Sequence, residues 1–282
     1  MKKILSFLLI ISLIITLCSC TSEKKPMKKI IAVSIVPQAT FVEKVCGDEF
    51  EIITMIPPGA SAETYEVTIA ELAQLESAEL YFSIGVPSEK NTILPSIKDK
   101  EKIVPLHTAA QEVYPAVTIG NEHDPHIWLS PKRVIVMVQK IADSLSIINP
   151  EKAEKYRKNA DNYCDALSKL DAEITDLFKS KQNRKFMVFH PAFGYIAEDY
   201  SLTMYALEEH GKEADAKHLS EMTDLAKKED ITTVFYQAET SGRQAEAFAE
   251  EIGGKAVELN PLSPDYIENM RALTKALSEA MK

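Results

Sequence analysis

The stretch Glu151–Lys179 constrains the fold more than any other part of this chain. No glycine or proline interrupts it. Within it Tyr156, Ala160, Tyr163, Leu167, Leu170, Ile174 and Leu177 recur at alternating steps of four and three, the stripe of one amphipathic helix. At about 1.5 Å per residue this helix is roughly 40–45 Å long, more than one small lobe requires. A coiled-coil dimer would use a similar stripe. The alternation of strand and helix on both sides argues instead for a rigid strut joining two lobes.

Before the strut, apolar runs at Lys29–Ile35, Phe50–Ile56, Leu80–Ile84 and Lys102–Leu106 read as buried parallel strands. Helical spacing appears at Thr40–Cys46, Ile69–Ser77 and Pro131–Ile147, and Thr118–Asp124 reads as a polar connection. After it the pattern restarts. Strands are expected at Lys185–Phe189, Leu202–Leu207, Thr232–Tyr236 and Lys255–Leu259, with helices leading up to Tyr200, over Leu219–Glu229 and Arg243–Ile252, and from about Pro264 to the end. The fold class is therefore α/β, with two parallel-sheet lobes over residues 29–148 and 183–282 joined by a helical segment over 149–182.

The first 19 residues read as a targeting segment: Lys2 and Lys3, then an apolar run too short to span a bilayer. The run ends in Leu17-Cys18-Ser19-Cys20, which resembles a bacterial lipobox. Cys20 is then expected to be the lipidated first residue, with residues 20–28 as a polar tether. Cys46 and Cys164 read as small buried residues, a bridge between them being the lesser alternative. The formal net charge of −10 excludes a nucleic-acid partner on electrostatic grounds and is compatible with a cation.

The polar residues with chemical potential follow strand ends or sit on stiffened turns. In Asp124-Pro125-His126-Ile127-Trp128-Leu129-Ser130-Pro131, proline fixes the backbone on one side and Ser130 caps a helix beginning at Pro131. His126 is thereby pre-aimed. His190 follows a strand directly, and Glu239 and Asn260 follow two more. Glu63 lies in the loop after Pro57-Pro58-Gly59. Ligands in open α/β sheets bind beyond the carboxyl ends of the strands. Two lobes facing each other would bring Glu63 and His126 to one side of a cleft and His190, with Glu239 or Asn260, to the other. Two imidazoles and one or two oxygens suit a divalent transition metal.

Three motifs together, Pro57-Pro58-Gly59 with Tyr65-Glu66, the Asp124–Pro131 octapeptide, and His190-Pro191-Ala192-Phe193-Gly194-Tyr195, resemble the metal-binding lipoproteins of ABC-type zinc and manganese importers. The resemblance spans nearly the whole chain beyond the targeting segment. It implies two lobes joined by one long helix, limited hinge motion, and a membrane permease as partner. His126 and His190 match two of that family's ligand positions. Glu63 stands where a histidine is usual, and Asn260 where the fourth ligand is often aspartate. The His-rich loop of zinc members is reduced here to Gly120-Asn121-Glu122-His123.

The expectation is thus an extracytoplasmic, lipid-anchored, monomeric solute-binding protein, not an enzyme, that takes Zn²⁺ through Glu63, His126 and His190. Mn²⁺ or Fe²⁺ is the alternative cargo, because a carboxylate is harder than imidazole. The fourth place falls to water, Asn260, Glu239 or His210. Binding is expected to release few protons, since neutral imidazole and ionised carboxylate are both available near neutral pH. A zinc hydrolase is the competing class, weakened by the lack of a His-Glu-x-x-His helix and of a Gly-x-Ser-x-Gly elbow. A non-metal receptor or adhesin, with an apolar cleft, is a third. His107, His210 and His218 sit in no motif and read as surface or capping residues, while His123, in the reduced loop, reads as a solvated residue with handing on a metal as the lesser alternative.

Overall fold

The computed structural model describes residues 28–120, 122–208, 215–239 and 242–281, so the targeting segment, Cys20, the tether up to Met27, and His210 lie outside them. The first sheet contains β1 (Ile30–Val33), β2 (Glu51–Thr54), β3 (Ala78–Ser83) and β4 (Ile103–Pro105), in the order β2-β1-β3-β4, all parallel. A two-stranded antiparallel hairpin follows, β5 (Thr118–Ile119) and β6 (Glu122–His123). The second sheet contains β7 (Lys185–Val188), β8 (Thr203–Ala206), β9 (Thr233–Gln237) and β10 (Lys255–Leu259), in the order β10-β9-β7-β8, again all parallel. Read from its other edge this is the same second–first–third–fourth order as the first sheet. Each sheet thus reverses its winding beside its first strand, where such sheets place ligands.

The helices are α1 (Val36–Cys46), α2 (Ile69–Glu76), α3 (Leu106–Val113), α4 (Pro131–Ile148), α5 (Ala153–Lys179), α6 (Gly194–Asp199), α7 (Ala216–Lys228), α8 (Gly242–Glu251) and α9 (Tyr266–Ala280). The strut is α5, preceded by a 3₁₀ turn over Pro150–Lys152. Its buried stripe follows the expected positions through Ile174, then steps four residues to Phe178 and leaves Leu177 half-buried. A step of four in place of three keeps the stripe on one face of a helix with 3.6 residues per turn.

The strut is fastened at both ends. Near its start, Tyr156 and Lys155 donate to the Glu49 carboxylate, both at 2.6 Å, and Asn159 donates to the Val45 carbonyl at 2.9 Å. Near its end, Tyr200 donates to Asp171 at 2.8 Å and Arg271 pairs with Glu173. One continuous core runs from Ile31, Phe41 and Phe82 through Leu145, Tyr163 and Leu170 to Phe186, Phe193 and Met270. A smaller cluster around Met187, Val234 and Phe248 fills the far side of the second sheet.

Three elements escaped the sequence reading. Helix α3 buries only Leu106 and Ala110, too short a repeat to register. Glu89–Ile93 winds with π geometry and continues helically to Ser96. The polar connection at Thr118 is the β5–β6 hairpin, turned by Gly120 at φ 61°. Cys46 and Cys164 are both buried and unbridged. Burial pushes each thiol up to about 11, which keeps them protonated and unreactive.

Candidate metal centre

The register of the second sheet builds one wall of the site. Val188 is paired with Ala206 on one side and Phe235 on the other. Two residues further along, His190, Glu208 and Gln237 therefore stand at one level above the carboxyl edge. Backbone bonds from Phe189 to the Phe235 carbonyl and from Glu208 to the Phe189 carbonyl, 2.7 and 2.9 Å, continue the pairing to that level. His190 is buried, and its Nδ1 lies 2.6 Å from the Glu208 carboxylate.

The opposite wall comes from the first lobe. Gly59, at φ 82°, turns the chain after Pro57-Pro58. The loop is tied down by bonds from the Glu63 amide to Ser61 Oγ and from the Ser88 amide to the Ala62 carbonyl. On the neighbouring octapeptide, Asp124 accepts both the His126 amide at 2.9 Å and the Nδ1 side of its ring at 2.7 Å. Ser130 caps α4 by accepting the Arg133 amide. The two walls are stapled together: Trp128 donates to the Pro261 carbonyl at 2.9 Å, and Tyr266 donates to the Trp128 carbonyl at 2.8 Å.

Glu63, His126 and His190 converge, each offering one ligand atom, with all three atoms within 4.8 Å of one another. Glu63 Oε1 lies 3.0 Å from His190 Nε2 and 3.7 Å from His126 Nε2. Donors about 2.0–2.1 Å from a tetrahedral zinc stand roughly 3.3 Å apart, so these separations bracket the required geometry. The imidazole rings are 5.4 Å apart and nearly perpendicular, with Nε2 of each facing Glu63 and Nδ1 held by a carboxylate. A carboxylate on the far nitrogen fixes ring orientation and raises ligand basicity.

His190 lies between two acids. Burial lowers its basicity, but hydrogen bonds and charge from Glu208 and Glu63 outweigh that and raise it to about 9. Glu63 is raised by burial and lowered more by the His190 hydrogen bond and by both imidazoles, the net shift being downward. His190 is therefore an imidazolium at neutral pH. An incoming dication must displace this proton.

The triad lies in a cavity of about 250 Å³ that is also lined by Trp128, Glu208, Gln237 and Glu239. Glu239 Oε2 is buried with no hydrogen-bond partner, and burial pushes its carboxyl up. Asn260 is exposed and is not among the residues lining this cavity, and its amide oxygen accepts the Leu262 amide at 3.0 Å. Exposed His123 lines a neighbouring surface recess that Glu63, His126 and His190 also line. His218 sits in the first turn of α7, where its amide bonds the Asp215 cap, and His107 packs under Gly85. Glu208 was not anticipated. The only available signal was its place two residues past a strand end.

The two histidine motifs also touch each other. A Cβ on Gly194 would meet Asp124 Oδ2 at 2.3 Å, so the glycine is required by the close approach of the carboxylate that aims His126.

Zinc-binding lipoprotein AdcA of Streptococcus pneumoniae is 29% identical over 99% of this chain, and the chain spans about three-fifths of that relative, 61%. A crystal structure of ZnuA superposes with a TM-score of 0.83 at 33% identity, over 90% of this chain and 99% of that one. The Zn(II)-bound ZnuA-like domain of S. pneumoniae AdcA gives a TM-score of 0.75 at 28% identity, over 90% and 98% of the two chains. The family model described as "Zinc-uptake complex component A periplasmic" matches residues 31–280. With two like-wound lobes, a strut between them and a His–His–Glu cluster in the gap, this chain belongs to that zinc-uptake family.

Proposed function

We propose that this chain is the extracytoplasmic binding component of an ABC importer, which captures Zn²⁺ and delivers it to a membrane permease. The ligands are Glu63, His126 and His190. The observation that supports this most is their convergence on one point between the lobes, each imidazole aimed by its own carboxylate. Two imidazoles favour zinc, and the AdcA relative is named for zinc binding. Zinc here is cargo and not a catalyst: Asp124 and Glu208 are engaged in orienting the two imidazoles. The charged lining of the cavity argues against an apolar solute.

On this reading residues 1–19 are removed, Cys20 carries the lipid and residues 20–28 form the tether, in keeping with the lipoprotein name of the relative. The two lobes then span 29–148 and 183–282 about the 149–182 segment, and the protein works as a monomer. No described helix is long and apolar enough to cross a membrane.

The test is uptake of labelled zinc by host cells. Cells lacking the chain should lose high-affinity uptake, and the wild-type chain should restore it where a His126→Ala/His190→Ala variant does not. Restoration by that variant would overturn the reading.

A further inference from the structure

Each ligand of the triad is held by a neighbouring side chain. Asp124 holds His126, Glu208 holds His190, and His190 holds Glu63. One acid in the same cavity is not restrained in this way. Glu239 stands in the turn after β9, the strand beside β7 at the point where the second sheet reverses its winding. Its Oε2 is buried and has no hydrogen-bond partner. A buried carboxylate oxygen without a donor is costly, and such a group calls for a partner that arrives later. Its ligand atom is not among the mutually close atoms of the triad.

The geometry points to Glu239 as the fourth zinc ligand, a carboxylate that turns onto the ion after Glu63, His126 and His190 have taken it. This rests on the proposed binding function and names the part of the site that closes. A dication held by two carboxylates and two neutral imidazoles makes a net neutral, four-coordinate centre, which suits burial. Asn260, the other residue at a neighbouring strand end, has its amide oxygen occupied in its own turn. The asymmetry also divides the labour. Three donors are preset for capture, while the fourth swings, so release begins with Glu239 and requires no movement of the lobes.

The test uses the full chain with Zn²⁺ and Co²⁺ as probes. Glu239→Gln and Glu239→Ala should each bind one zinc more weakly, by at least the roughly ten- to hundredfold loss that follows removal of an outer hydrogen-bonding partner. Dissociation should be correspondingly faster, and the visible Co²⁺ spectrum should change as the fourth donor is replaced by water. The metal-free variants should melt at or above the wild-type temperature, because an unpaired buried charge has been removed. Wild-type affinity and an unchanged Co²⁺ spectrum in both variants would overturn the assignment while leaving the triad intact. A wild-type chain that takes up no zinc would overturn both this assignment and the function on which it rests.

Discussion

At the scale of single residues, the site is controlled by groups that need not touch the ion. Gly194→Ala forces its new methyl against Asp124 Oδ2, so Asp124 must move and His126 must lose its aim. Zinc affinity should fall about ten- to hundredfold, the loss typical of a disturbed outer partner, while the helix around it stays folded. Calorimetric titration checks this, and wild-type affinity in the variant would refute it. His190 sets the pH response. Its folded value of about 9 lies above the ordinary 6.5. The stabilisation it gives the metal-free protein is therefore complete below pH 6.5 and is lost as pH rises through 9. Zinc competes with that proton, so about one proton should leave per zinc at pH 7, and apparent affinity should climb about tenfold per pH unit towards 9. Titrations in buffers of different ionisation enthalpy measure the count. No release, with a flat pH profile, would contradict it.

At the scale of elements, α4 and α6 are locked together. Arg133 and Asp199 are both buried and pair at 2.5 Å, with Ser130 and Lys132 on the same carboxylate, and the guanidinium lies over the Tyr195 ring. Asp199→Asn leaves Arg133 buried without its counter-charge. The expected loss is about 3–5 kcal/mol, or roughly 10 °C in melting temperature. A thermal melt reads it directly, and an unchanged midpoint would show that the pair contributes nothing net. Most elements were legible in the sequence because their periodicity spans several turns or a complete strand. The stripe of α5 and the apolar runs of β1 and β7 left little choice. Helix α3 and the β5–β6 hairpin were not legible, because two buried residues or two paired ones make no period. The site divides in the same way. His126 and His190 stood out because proline flanks them, and Glu63 because a Pro-Pro-Gly turn precedes it. Glu208 drew no role from the sequence, since its role comes from lateral strand register. The raised basicity of His190 was also hidden, because it depends on two acids closing on one ring from different elements.

At the scale of the whole molecule, the core does not stop at the strut. Residues of both sheets, α1, α4, α5 and α9 belong to one apolar cluster, so opening the lobes would expose a buried interior. The protein should unfold in one transition. Zinc at about a hundred times its dissociation constant should add roughly 2.7 kcal/mol to that stability. The radius of gyration in solution scattering should barely change on loading. A large contraction would show that the lobes do hinge. On the proposed function, release of the cargo would then fall to the loops that reach the site. The central claim is that Glu63, His126 and His190, drawn from both lobes, hold one dication between them. The decisive experiment is calorimetric titration of Zn²⁺ into the wild-type chain and the His126→Ala/His190→Ala variant. The wild-type chain should show one tight site and the variant none. Equal affinity in the two would contradict it.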